Sequence, residues 1–176
     1  DTLKTSAGDV KLETLAALEH PWKMALLPDG RVLITEKPGR LRIFADGKLS
    51  EPVQGVPQVE YRKQGGMLGV LLDPDFAGNQ TIYLSYVEGA GPPDQDAKDT
   101  RDPRIGDGQE LDDAMNKGLA VAKATLGDGR LENVAVIWRQ TPKLLGRGHF
   151  GGHMAFAPDG KLFITSGDRQ RFDPAQ

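Results

Sequence analysis

The chain contains no cysteine among its 176 residues, and this absence excludes several kinds of chemistry. Disulfide bonds, thiolate metal sites and cysteine nucleophiles all require a thiol. A chain without cysteine is compatible with the periplasm as well as with the cytoplasm. Cysteine usage therefore excludes these chemistries without deciding the compartment.

The chain also lacks a long apolar run and an excess of positive charge. No segment approaches the roughly 18 apolar residues of a membrane-spanning helix. The first residues, Asp1 to Lys4, lack the basic start and apolar stretch of a signal peptide. The net charge is −3, which argues against a protein dominated by nucleic-acid binding. We expect no membrane span and no nucleic-acid partner.

Turn residues are abundant, with 22 glycines and 12 prolines, and one phrase occurs twice. Residues 24–35 read MALLPDGRVLIT, and residues 154–165 read MAFAPDGKLFIT. Each copy is an apolar run, a Pro-Asp-Gly turn and a second apolar run, which predicts two antiparallel strands joined tightly. A diverged copy with a longer turn spans residues 68–86.

The spacing of these copies predicts the blades of a β-propeller. The turn prolines at 28, 74 and 158 lie 46 and 84 residues apart. The second interval contains a polar stretch, 89–118, and its removal leaves 54 residues. Both intervals then approach the roughly 40 to 50 residues of a four-stranded blade. The predicted fold class is all-β, a β-propeller represented here by about two and a half blades.

The predicted organisation is a single partial propeller domain over residues 1–176. A strand over 10–16 closes the ring, blade 1 spans 22–55, and blade 2 spans 64–140 with the polar insertion 89–118. Blade 3 begins within 149–176. Because propellers need typically four to eight blades, the chain is predicted to be a fragment or half of a larger assembly.

The polar insertion 89–118 carries eight acidic and four basic residues, which predicts a surface loop. Residues 109–117 are a candidate for a short helix within it. Its clustered aspartates lack the turn glycine and terminal glutamate of an EF-hand, so they are interpreted as solvated charge; they are Asp94, Asp96, Asp99 and Asp102. No metal site is predicted within this chain.

Two polar residues occupy equivalent places before the inner strands of neighbouring blades. His149 and Gln64 each stand just ahead of a Gly-Gly pair. Glycines let a backbone or substrate approach closely, and an imidazole can take a proton from a hydroxyl near neutral pH. The alternatives are a histidine satisfied within a tight turn and a Gly-Gly pair that only eases entry into a strand.

The sequence resembles the soluble quinoprotein sugar dehydrogenases. These are the pyrroloquinoline quinone (PQQ)-dependent glucose and aldose dehydrogenases, including the glucose/sorbosone dehydrogenase group. The phrases that carry the resemblance run in order through nearly the whole chain: LEHPW at 18–22, LPDGR at 27–31, TEKPGRL at 35–41, QGGMLG at 64–69, DPDF at 73–76 and HFGG at 149–152.

The resemblance implies a six-bladed propeller with PQQ held over the channel mouth by calcium and basic side chains. It implies oxidation of an aldose at C1 to the lactone, an external electron acceptor and a periplasmic or secreted location. His149 aligns with the catalytic histidine that takes the C1 hydroxyl proton, and Gln64 aligns with a glutamine that contacts sugar. The calcium ligands and most PQQ contacts fall in later blades, beyond Gln176, so no cofactor-binding residue is assigned here. Residues 1–176 alone are therefore expected to be inactive.

The sequence departs from the family pattern near the proposed base. Gly148 stands where some members have an acidic residue, and His153 stands where arginine often follows the Gly-Gly pair. Asp168 and Arg169 lie in a loop that approaches the family's site, and solvated turn charges are the preferred interpretation of both. Two other functions stay open: a propeller used only for binding, and a calcium-dependent lactonase, for which the inner strands offer no acidic ligands.

Overall fold

The computed structural model describes residues 1–89, 116–144, 146 and 148–169. These residues form twelve β-strands and one four-residue helix. The strands are β1 (Thr2–Thr5), β2 (Gly8–Lys11), β3 (Pro21–Leu26), β4 (Val32–Glu36), β5 (Arg40–Ala45), β6 (Lys48–Leu49), β7 (Met67–Leu72), β8 (Thr81–Gly89), β9 (Lys117–Leu126), β10 (Leu131–Arg139), β11 (Gly151–Phe156) and β12 (Leu162–Ser166); the helix is α1 (Phe76–Asn79).

Consecutive strands pair with each other to form a series of antiparallel meanders. The first sheet runs β3-β4-β5-β6, the second runs β7-β8-β9-β10, and the third consists of β11 and β12. The strands predicted from the repeated phrase and from its diverged copy are all present. The longer turn of the diverged copy contains α1, and the Asp73 carboxylate accepts hydrogen bonds from the Asp75 amide and the Asn79 side chain there.

The amino-terminal segment differs from the prediction. The strand β2, Gly8–Lys11, pairs with β1, and residues 12–20 carry no strand, so the predicted strand over 10–16 is wrong in its extent. Gly8, at φ 123°, lets the chain turn back on itself within a few residues. A local partner is favoured because closing a short loop costs little entropy. The closure of a ring by this segment stays a prediction.

The polar insertion is shorter than predicted. Gly89 ends β8, while Lys117 and Gly118 begin β9 as buried residues of the second sheet. The predicted helix over 109–117 is therefore wrong at its last residue. The rest of that helix and the aspartate cluster at 94–102 lie outside the described residues.

The three sheets stack face to face through their first strands. The strand β7 packs between β3 and β4 of the first sheet and β11 of the third. Apolar side chains from the first two sheets share one core, which includes Leu33, Leu41, Met67, Ile82 and Leu84, all fully buried. The Tyr83 ring meets Phe156 of the third sheet edge to face, with centroids 5.3 Å apart.

The first strand of each of the three stacked sheets contains an irregularity at the same position. Pairing shifts between Pro21 and Lys23, between Met67 and Val70, and between Gly151 and Met154. A hydroxyl on the adjacent strand accepts the backbone N–H at each shift; the pairs are Lys23 N to Thr35 Oγ1 at 3.0 Å, Gly69 N to Ser85 Oγ at 2.8 Å and His153 N to Thr165 Oγ1 at 3.0 Å.

These hydroxyls also connect one sheet to the next. Thr35 donates to the Leu68 carbonyl of the second sheet at 2.6 Å, and Ser85 donates to the Gly152 carbonyl of the third sheet at 2.6 Å. Both contacts are buried, so each satisfies a carbonyl that the irregular pairing leaves without its usual strand partner. An equivalent hydrogen bond therefore joins the first sheet to the second and the second sheet to the third.

The outer faces of the stack are uncovered. Leu33, Tyr83 and Phe163 occupy equivalent positions in the three second strands, yet they are 0%, 8% and 61% exposed. On the opposite side of the stack, Met24 and Leu26 of β3 are exposed. This arrangement is that of consecutive propeller blades with two faces available for further sheets.

A buried carboxylate organises the end of the first sheet. Glu36 is 1% exposed and accepts hydrogen bonds from the Glu19 amide at 2.5 Å, Arg40 Nε at 2.7 Å and Arg42 at 3.4 Å. Burial by itself raises the pKa of Glu36, but the hydrogen bonds from Arg40 and Glu19 and the nearby arginine charges outweigh it. The pKa of Glu36 is held below its ordinary value.

Replacing Thr35 by valine is expected to lower the free energy of unfolding by about 2 kcal/mol, because the Leu68 carbonyl and the Lys23 amide each lose a buried partner. Urea unfolding of the purified variant measures this change. Thr35→Ser keeps the hydroxyl and serves as the control. Equal destabilisation of the two variants would contradict a role for the hydroxyl.

Replacing Glu36 by glutamine is expected to cost about 2 kcal/mol of stability at neutral pH, because two arginines lose a buried carboxylate. A carboxylate with a depressed pKa contributes stability above its unfolded pKa and loses it on protonation, so the difference from wild type should shrink below about pH 4.3. Urea unfolding at several pH values measures this, with exposed Glu51→Gln as control. A difference independent of pH would contradict the assignment.

Candidate functional site

The structure brings the two predicted site residues into direct contact. The backbone N–H of His149 donates to Gln64 Oε1 at 2.9 Å. Gly148 permits this approach, since a Cβ at that position would lie 2.5 Å from the same oxygen. His149 itself has a φ of 50°, a left-handed backbone that is uncommon outside glycine. The loops before β7 and β11 therefore meet at the same end of the stack.

The His149 imidazole has a carboxylate partner. Its Nδ1 lies 2.8 Å from Asp168 Oδ1, and both side chains are partly exposed. In the neutral imidazole this contact favours the proton on Nδ1, since a carboxylate only accepts hydrogen bonds. The other ring nitrogen, Nε2, is then left with a lone pair that can accept a proton.

Asp168 reaches this position because of the pairing between β11 and β12. Gly151 pairs with Ser166, so the residues after β12 lie beside the residues before β11. Gly167 is needed at the crossing, because a Cβ there would lie 1.9 Å from the His149 carbonyl oxygen. The interpretation of Asp168 as a solvated turn charge did not predict its contact with His149. The contact could have been predicted from the register of the β11–β12 hairpin, which places the residues after β12 beside those before β11.

Arg169 is buried, which makes its interpretation as a solvated turn charge wrong. It is 1% exposed, and it donates to the His149 carbonyl at 2.8 Å, to the Gly167 carbonyl at 3.3 Å and to Gln140 Oε1. Its guanidinium lies 4.4 Å from the centroid of the Phe150 ring. Burial lowers the pKa of Arg169 to about 10, opposed by the charge of Asp168, so the side chain stays cationic at neutral pH.

An open groove runs along the first strands beside this cluster. Its volume is about 360 Å³, and its walls come from all three sheets; they include Trp22, Lys23, Gly69, Gly152, His153 and Thr165. Gly151 and Gly152 line it, and His149 lies two residues before Gly151. His149 is therefore close in the chain to the wall of a groove large enough for a small molecule.

Aromatic rings form a second feature at the loop that carries Gln64. The Lys37 ammonium lies 5.8 Å from the Trp22 ring centroid and 5.9 Å from that of Tyr61. The same ammonium donates to the Lys63 carbonyl at 2.7 Å. Lys37 thereby anchors the residue before Gln64.

Within the ranges that the structure describes, no group of three or more histidine, aspartate or glutamate residues could hold a metal ion. The described part of the site brings together an imidazole, a carboxylate and an amide. None of the described helical segments has the length and apolar character needed to cross a bilayer.

Three stacked antiparallel sheets with a polar cluster at the start of their inner strands define part of a β-propeller with a candidate active site. The family model of the Glucose / Sorbosone dehydrogenases matches residues 18–176. The chain belongs to this family. The predicted all-β, partial propeller fold is confirmed by the solved structure described next.

Individual proteins agree with this assignment. The chain is 37% identical over 179 residues to the aldose sugar dehydrogenase YliI of Escherichia coli K12, covering 99% of this chain and 42% of that protein. A solved structure described as glucose dehydrogenase is 43% identical, with a TM-score of 0.74, over 90% of this chain and 44% of that one. The quinoprotein glucose dehydrogenase B of Acinetobacter calcoaceticus is 25% identical over 161 residues, covering 89% of this chain and 30% of that protein. The chain thus spans less than half the length of these relatives.

Asp168→Asn is expected to change the tautomer of His149, because an amide can donate to Nδ1 where the carboxylate only accepts. Nitrogen-15 NMR of the neutral imidazole should then show Nε2–H in place of Nδ1–H. Asp159→Asn, in the exposed turn where Asp159 bonds Lys161, is the matched control. Unchanged imidazole signals in Asp168→Asn would contradict the contact.

Proposed function

We propose that the protein to which this chain belongs oxidises the C1 hydroxyl of an aldose to the lactone, with PQQ as the acceptor and His149 as the general base. The observation that carries this proposal is the arrangement of His149 between Asp168 and Gln64, two residues before the glycines that line the groove. Membership of a sugar dehydrogenase family supports the reaction class.

His149 removes the proton in this proposal. Asp168 accepts the Nδ1–H bond and holds the ring in one orientation, so Nε2 is available to a substrate hydroxyl. As the C1 hydroxyl loses its proton to Nε2, the adjacent carboxylate stabilises the imidazolium that forms. The left-handed backbone of His149, bonded to Gln64, keeps the ring at the end of the loop.

Gln64 orients the sugar. Its Oε1 accepts the His149 amide, and its side-chain NH₂ can donate to a sugar hydroxyl. One residue therefore fixes the backbone of the base and contacts the substrate. A sugar bound to Gln64 has its reacting carbon near His149 because the two residues are directly bonded.

When PQQ is bound, it supplies the acceptor for the hydrogen that leaves C1. The resemblance to quinoprotein sugar dehydrogenases supports this cofactor, and so does the similarity to a protein described as a quinoprotein. Calcium is proposed on the resemblance alone. The described residues contain no group of three or more side chains that could hold a metal ion, so the calcium ligands are assigned to further blades. The PQQ contacts are assigned there on the resemblance.

The partners proposed for this chain follow from its share of the propeller. It covers 42% of the length of YliI, so the remaining blades, from the same gene or from a second chain, complete the ring. An external electron acceptor reoxidises the cofactor, and the location is periplasmic or secreted. The preferred aldose and the oligomeric state are left open by this proposal.

His149→Asn in the full-length protein, loaded with PQQ and calcium, is expected to lower kcat for aldose oxidation by about 10²- to 10⁴-fold, because the general base is lost. Asparagine tolerates the left-handed backbone, so the fold should persist. Turnover of glucose and other aldoses with an artificial electron acceptor measures the effect.

His20→Asn is the matched control, since His20 also has a φ of 50° and is exposed. It should retain wild-type kcat. Undiminished turnover in His149→Asn would overturn the role of the base. An absence of turnover with any aldose in the wild-type protein would favour a propeller that only binds its ligand.

A further inference from the structure

Arg169 is a buried cation that the proposed reaction does not use. Burying a guanidinium removes it from water at a cost of several kcal/mol unless its hydrogen bonds are replaced. Its Nε has no hydrogen-bond partner among the described residues, so the replacement is incomplete. Because burial of this guanidinium lowers the stability of the fold, we expect Arg169 to have a specific role beside His149.

The contacts of Arg169 converge on the backbone of His149. One terminal nitrogen donates to the His149 carbonyl at 2.8 Å and to the Gly167 carbonyl at 3.3 Å, and the other donates to Gln140. The guanidinium plane is supported by the ring of Phe150, the residue that follows His149. Gln140 is itself fixed, because its Oε1 also accepts the Leu119 amide at 3.2 Å.

His149 needs such support because its backbone is in an unfavourable region. A non-glycine residue at φ 50° costs roughly 1–2 kcal/mol and relaxes unless neighbouring groups hold it. The Gln64 side chain holds the N–H of His149, Arg169 holds its carbonyl, and Asp168 holds its ring. Two consecutive residues, Asp168 and Arg169, thus fix the side chain and the main chain of the same histidine.

We propose that Arg169 is a positioning residue for His149, and that it fixes the left-handed backbone from which the imidazole reaches the substrate. This inference rests on the proposed role of His149 as the base. It adds a requirement for a planar, multiply donating cation at position 169, because lysine cannot bond the His149 carbonyl and Gln140 with the same fork.

The test uses Arg169→Met and Arg169→Lys in the full-length protein loaded with PQQ and calcium. We expect kcat to fall about 10- to 100-fold in both variants, because a small displacement of a catalytic group carries a cost of this size. The KM for the aldose should change less than about threefold, because Gln64 remains in place. Methionine fills the buried volume, and lysine retains the charge if the methionine variant does not fold.

Nitrogen-15 NMR of His149 provides a readout that does not depend on turnover. In both variants the neutral imidazole should show a mixture of tautomers in place of the single Nδ1–H form, because the ring is no longer held against Asp168. Arg42→Met and Arg42→Lys are the matched controls, since Arg42 also donates to a backbone carbonyl, that of Ser50 at 2.7 Å, but in the first sheet.

The proposal is overturned if Arg169→Met or Arg169→Lys leaves both kcat and the imidazole signals as in wild type. It is also overturned if kcat falls only as far as in the Arg42 variants while the imidazole signals stay unchanged. If His149→Asn keeps full activity, the proposed function fails, and the NMR comparison still decides whether Arg169 positions His149. The two failures are therefore distinguishable.

Discussion

The hydrogen bond from a second-strand hydroxyl to the first strand of the next sheet is the constraint on which the rest of this structure depends. Thr35 and Ser85 each satisfy an amide of their own sheet and a carbonyl of the following sheet. This contact sets neighbouring inner strands at the same height. Gln64 lies three residues before β7 and His149 two residues before β11, and their loops meet through the bond from the His149 amide to Gln64 Oε1.

Much of this arrangement could be predicted from the sequence because it repeats. The repeated phrase and its diverged copy predicted the first two strands of each sheet, and the Gly-Gly pairs predicted that Gln64 and His149 lie before neighbouring inner strands. The two residues are offset by one position, because Met67 and Gly151 are equivalent in the strand register and Phe150 separates His149 from its glycines. Asp168 and Arg169 could not be interpreted in the same way. Their roles depend on a hairpin register and on burial beneath Phe150, and neither has a periodic signature in the chain. The β1–β2 hairpin was missed because its two short exposed strands lack an apolar pattern.

The site combines opposite charges in adjacent residues with different surroundings. The Asp168 carboxylate is partly exposed and faces an imidazole, whereas the Arg169 guanidinium is buried and faces carbonyl groups. The two residues are consecutive in the chain. The loop after β12 therefore contacts His149 through both residues, and Gly167 permits this approach because a Cβ there would lie 1.9 Å from the His149 carbonyl oxygen.

The contact between sheets also has a direction. Its donor lies on a second strand and its acceptor on the following first strand, so the two ends of the stack are not alike. At one end of the stack, Thr165 is at the position of the hydroxyl donor. At the other end, Trp22 is at the position equivalent to Leu68 and Gly152, whose carbonyls accept this hydrogen bond within the stack. Sheets can therefore be added only head to tail, which is the geometry that generates either a closed ring or an open helix. The hydrogen bond fixes the direction in which one sheet follows another, and the rotation between successive sheets decides whether the series closes into a ring.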